Sequence, residues 1–195
     1  MTREMWMRRV PLMVALVLTT VLSGPARAQD MTAKAAPKPA PGPSQAVLEQ
    51  WNDIGRKLIA MAEDFPEDKD DFKAAPTTKT FAERLIHAAH ANYFFTNLVK
   101  GEKAPAMGDP KREEFKTKAD LVAFVKKSFA DGAAAIKAKG DAGMNDLVVD
   151  PFSNEKTRVS DFAYGFVEHS GEIYGQLTVY YRVAGMVPPE SRPSK

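Results

Sequence analysis

Apolar residues return at helical intervals in four separate stretches of this chain. Val47, Trp51, Ile54, Leu58 and Met61 recur every three or four positions, which lines them up along one stripe of a helix. Ser44 is a suitable N-cap and Pro66 halts the pattern, so the first helix is expected from about Ser44 to Glu63. The second opens on Thr80-Phe81-Ala82-Glu83, a capping box in which threonine and glutamate each satisfy an otherwise unpaired backbone donor. Its apolar side chains, from Leu85 to Val99, point nearly all round the axis, as they do in an inner helix. The third is expected from about Thr117 to Lys139, with Leu121, Val125, Phe129 and Ile136 on one stripe and Gly140 as its stop. The fourth begins near Thr157 or Ser160 and ends at Ala184, before Gly185 and Pro188-Pro189; Phe162, Phe166, His169, Ile173, Leu177 and Tyr180 share one face. No stretch between Gln45 and Lys195 alternates with period two for long enough to need a sheet. The fold class is therefore all-α, a four-helix bundle. The connection from Gly101 to Lys116 is long enough to run the length of such a bundle, which makes helices two and three parallel and the order up-down-down-up.

The start of the chain has a different pattern. Arg3, Arg8 and Arg9 precede an apolar run from Val10 to Leu22, and Ala26-Arg27-Ala28 follows, the order of charge, apolar core and small-residue cleavage site found in an export signal. The run is shorter than the roughly 20 apolar residues needed to span a bilayer, so residues 1–28 are expected to be removed after Ala28 and the mature chain to carry no membrane span. Arg8-Arg9 with Leu12 also fits a twin-arginine signal, which leaves the export route open. Residues 29–44, QDMTAKAAPKPAPGPS, are too poor in large apolar side chains to bury themselves and read as a disordered linker. Residues 45–195 remain as one domain, and a periplasmic or secreted location follows.

Composition narrows the chemistry. The absence of cysteine excludes a disulfide framework, thiolate ligands and a thiol nucleophile. Loss of residues 1–28 removes four of 27 basic side chains and one of 25 acidic ones, so the mature chain is close to neutral and no nucleic-acid partner is implied. Only three histidines are present, His87 and His90 on the second helix and His169 on the fourth, with Glu172 one turn after His169. Side chains three or four apart share a helix face, so two neighbouring helices can aim imidazoles at one point; each histidine taken singly also suits a hydrogen-bonded core position.

At these residues the chain resembles the DinB-like family of four-helix bundles, regarded as metal-dependent enzymes. The resemblance is carried by WNDIGRKLIAMAEDFPEDKDDFK from Trp51, TFAERLIHAAHANYFF from Thr80 and, most specifically, HSGEIYGQLTVYYRVAGMVPPES from His169. It implies one metal-binding histidine on the second helix and an H-x-x-x-H pair on the fourth. His87 matches the first ligand and His169 the second, but the third position holds Ile173, which has no lone pair to donate. His90 or Glu172 would have to replace it. With a divalent metal, zinc or nickel, the resemblance implies a hydrolase weakened by this loss, or a transferase; an exported chain suits hydrolysis better than the transfer of cytosolic thiols. The rival reading is a metal-free small-molecule-binding or scaffold bundle, with Ile173 facing an apolar cavity. Tyr93, Tyr174, Gln176 and Tyr180 are further candidates to line a pocket or a subunit interface, and the resemblance implies a homodimer.

Overall fold

A computed structural model describes residues 40–193. The export signal and all but the last residues of the linker lie outside them. Four helices dominate: α1 (Pro43–Asp64), α2 (Phe81–Val99), α3 (Lys118–Gly143) and α4 (Val159–Val183). Among the described residues, no helix is long and apolar enough to cross a membrane.

The local signals act much as the sequence implies. Thr80 and Glu83 form the capping box of α2, with Glu83 N–H donating to Thr80 Oγ1 at 3.1 Å and Thr80 N–H to Glu83 Oε2 at 2.6 Å. Thr117 and Asp120 close α3 in the same way. Ser44 behaves differently. The cap of α1 is Gly42, the helix starts at Pro43 inside the expected linker, and Ser44 N–H donates across the bundle to Asp141 Oδ1 at 2.9 Å. Gly140 adopts φ 58°, a left-handed conformation that costs glycine least, but one more turn follows it before α3 ends.

Side-chain contacts fix the direction of each helix. The start of α1 meets the end of α3 through Ser44 and Asp141, and the end of α1 meets the start of α3 through Lys118, whose ammonium donates to Phe65 O. Phe65 also stacks on Phe81 at the start of α2 and packs edge-on to Tyr181 at the end of α4. At the opposite end Phe95 of α2 touches Phe162 and Phe166 of α4. Helices α2 and α3 thus run parallel and the order is up-down-down-up. α1 and α2 each pack against α3 and α4 and face one another only across the diagonal. Trp51 plugs the centre: it is wholly buried, donates from Nε1 to Phe129 O at 2.9 Å and packs on the Phe95 and Phe129 rings. A Cβ on Gly132 would come within 2.1 Å of the Trp51 ring, so the glycine is what lets α3 approach the indole.

One element departs from the all-helical expectation. Between α3 and α4, β1 (Leu147–Val149) and β2 (Lys156–Arg158) form a two-stranded antiparallel hairpin. Three residues per strand are too few to show alternation in the sequence. The hairpin is tied to the bundle through Val159 N–H to Asp146 O and Ser160 N–H to Met144 O, at 2.9 and 3.0 Å, and this linkage places its turn beside α2.

Candidate functional site

A pocket of about 660 Å³ opens between α2, α4, the α2–α3 connection and the β1–β2 turn, a volume inside the roughly 300–1,000 Å³ of small-molecule sites. Its polar end is built from two helices. His87 of α2 and His169 of α4 face each other with ring centroids 5.0 Å apart and planes at 75°. Both come from stripes legible in the sequence, and antiparallel α2 and α4 bring them level.

A third group completes this end. Asp109, in the α2–α3 connection, places Oδ1 2.8 Å from His87 Nδ1 and pairs its other oxygen with the Lys79 ammonium. Burial pushes the Asp109 carboxyl up, but the hydrogen bonds from Lys79 and His87 outweigh it and hold the group below the usual carboxylate value. An ionised carboxylate can only accept, so the proton between the two groups sits on His87 Nδ1, and Nε2 takes no part in this contact. Burial drives His169 below the ordinary histidine value, reinforced by His87 and opposed by Glu172 and Asp109. His169 Nε2 is buried with no hydrogen-bond partner among the described residues.

The other candidates are distributed unevenly. His90 lines the pocket one turn along α2, with Nε2 3.1 Å from Ala106 O. Glu172 is mostly exposed, with an oxygen 3.8 Å from His169 Nδ1, and does not line the pocket. Ile173 is 2 % exposed and belongs to the hydrophobic core. Tyr93 lies on the α3 side of α2, where its hydroxyl donates to Asp131 Oδ2 at 3.3 Å and burial, with Asp131, pushes its pKa up to about 12. Tyr180 donates to Lys79 O and so ties the end of α4 to the α1–α2 connection, while Tyr174 is half-buried and Gln176 exposed. None of Tyr93, Ile173, Tyr174, Gln176 and Tyr180 lines the pocket.

Sequence reasoning missed Asp109 and the wall formed by the β1–β2 turn. Asp109 stands 22 positions from His87 in a connection without periodicity, so no spacing marks it. Phe152 of the turn packs on Phe94 of α2, ring centroids 5.1 Å apart. The pocket is otherwise lined chiefly by Phe94, Phe162 and Phe166, the last two on the stripe that carries His169.

The two-histidine end suits a divalent metal only in part. The unpaired His169 Nε2, and a His87 oriented through its other nitrogen by a carboxylate, are features of metal-binding imidazoles. A catalytic zinc site, however, takes three protein ligands. Ile173 supplies hydrocarbon at the third position, and among the described residues no three or more His, Cys, Asp or Glu side chains are grouped to hold an ion. The residues present leave that donor set one short.

Comparison with known proteins agrees with the fold. A family profile described as the DinB superfamily matches residues 50–177. No curated protein sequence matches the chain. Among solved structures, a DinB-like protein from Bacillus cereus superposes with a TM-score of 0.62 at 16% identity, covering 74% of this chain and 95% of its own. The DinB-like protein YjoA from Bacillus subtilis gives 0.60 at 18% identity, covering 76% and 99%. YfiT, also from B. subtilis and described as a probable metal-dependent hydrolase with an unusual four-helix bundle topology, gives 0.56 at 16% identity, covering 77% and 93%. At such identities the likeness is one of fold.

Proposed function

The chain belongs to the DinB superfamily, and on that footing we propose that it is an exported small-molecule-binding bundle whose pocket has outlived a three-ligand metal site. The observation that carries this reading is Ile173, seated in the core where the family resemblance calls for a metal-binding histidine. The remaining polar end still has work to do. Asp109, itself held by Lys79, fixes the His87 ring through Nδ1, and His169 offers a second imidazole with its centroid 5.0 Å away. Together they can orient a ligand that donates hydrogen bonds, while Phe94, Phe162 and Phe166 exclude water from its apolar part. A second reading, a weak metal-dependent hydrolase using His87 and His169 with His90 or Glu172, is favoured by the buried His169 Nε2, unpaired among the described residues, and by the likeness to YfiT, a probable metal-dependent hydrolase.

Ile173→His separates the two. Positions 169 and 173 stack one turn apart on α4, so the variant presents a chelating pair opposite His87 with little change in bulk. Calorimetric titration of both proteins with zinc and nickel should show the variant binding at least about tenfold more tightly, or ~1.4 kcal/mol. Equal tight binding by the natural chain would favour the hydrolase. Export is part of the proposal: expressed whole in a Gram-negative host, the protein should be recovered outside the cytoplasm with Gln29 at its N-terminus. N-terminal sequencing that finds Met1 intact would overturn that part.

A further inference from the structure

The pocket carries a charge pattern that its histidines do not explain. Three carboxylates line it, Asp109, Asp150 and Asp161, and no lysine or arginine does. Two of the three are neutralised from outside the lining. Asp109 pairs with Lys79, and Asp161 is clasped by Arg158 through two hydrogen bonds of 2.7 and 3.0 Å. Asp150 has no cation within ion-pair distance among the described residues.

Asp150 is nevertheless held in a set orientation. Its Oδ1 accepts from Phe152 N–H at 2.8 Å and its Oδ2 from the Ser153 hydroxyl at 2.9 Å. Each carboxylate oxygen keeps a further lone pair for another donor. Phe152, two residues on, meets Phe94, so aromatic surface lies beside a fixed, uncompensated negative charge. Aromatic faces attract cations, and a low-dielectric pocket lined by one sign of charge concentrates its field.

We propose that the pocket selects a cationic amphiphile, an organic amine with an apolar body, whose ammonium is held by Asp150 and the neighbouring phenyl faces while its body lies along Phe162 and Phe166. The inference rests on the small-molecule reading of this pocket and adds the class of ligand. An anionic analogue would bring a carboxylate to Asp150 without a cation in the lining to receive it.

Three probes of one shape test the charge alone: phenylbutylamine, phenylbutanol and phenylbutanoate, titrated calorimetrically into the purified protein slightly above neutral pH. The amine should bind at least about tenfold more tightly than the carboxylate, with the alcohol between. Asp150→Asn retains a carbonyl oxygen for Phe152 N–H, and it should bring the amine down to the alcohol's affinity while leaving the alcohol unchanged. Equal binding of amine and alcohol by the natural protein would overturn the cation preference but leave the pocket standing. Tightest binding of the carboxylate would overturn it in favour of an anion site at the histidines, and an amine preference that survives Asp150→Asn would overturn Asp150 as the anchor. If none of the three binds, the small-molecule reading falls as well.

Discussion

At the scale of single residues, Asp70 is a carboxylate buried where it has little to hold it. It is 1 % exposed in the turn that follows α1, and neither carboxylate oxygen has a hydrogen-bond partner among the described residues; the closest cationic group, Arg112 Nη2, is 3.9 Å away. The run from Glu67 to Lys73 looks from its charges like a solvated turn, but Asp70 is drawn inward because its carbonyl accepts from Ala82 N–H and so docks the turn on α2. Burial raises the Asp70 pKa, against the pull of Lys118 and Arg112. The folded protein therefore holds the proton to higher pH than the unfolded chain does. Ionisation subtracts stability as pH rises through the ordinary carboxylate value toward the raised one, and the loss disappears in acid. Asp70→Asn should accordingly raise the Tm at pH 7, by on the order of 1 kcal/mol of stability, and the gain should vanish near pH 3. A lower Tm for the variant at pH 7 in scanning calorimetry would mean that Lys118 and Arg112 depend on the charge. Burial of this kind is invisible in the sequence, where Asp70 stands among Glu67, Asp68 and Asp71. Asp109 escaped for a related reason: its partner His87 is brought to it by the path of a connection and not by helical spacing. His87 and His169 were legible because both lie on regular helices.

Among the elements, α4 presents an open face. Gly171 and Gly175 would find nothing within 4 Å of an added Cβ, and Val179 and Val183 continue the same four-residue row while more than half exposed. Rows of this spacing can interdigitate with their own copy across a twofold axis, and the glycines leave room for close approach. The homodimer implied by the family resemblance has here a suitable surface. The natural protein should sediment as a dimer, and Gly175→Lys should leave helicity unchanged by circular dichroism while shifting the species to monomer; a monomeric natural protein would dismiss the interface. The four helices themselves were readable from their apolar rows and caps. Their boundaries moved at α1, where Gly42 caps in place of Ser44, and at α3, where the chain turns once more beyond Gly140, and by a residue or two at α4, which runs Val159–Val183 with Thr157 in the preceding strand. The hairpin was not readable, because β1 and β2 expose Leu147 and Val149 and bury no stripe.

For the molecule as a whole, the long connection between α2 and α3 correctly implied that these two helices run parallel, and the order up-down-down-up follows from it. The same arrangement shapes how the chain must assemble. Of helices adjacent in sequence only α2 and α3 pack closely, and a parallel pair cannot form as a tight hairpin; α1 with α3, and α2 with α4, meet only after an entire intervening helix has been looped out. Loop closure of that length has to be met before the Trp51 and Phe65 contacts can reward it. Helical proteins with such remote partners refold more slowly than up-down bundles joined by short turns. A nascent chain of this design therefore spends longer without its tertiary structure, and that interval is when an unfolded polypeptide can still be threaded through a narrow channel.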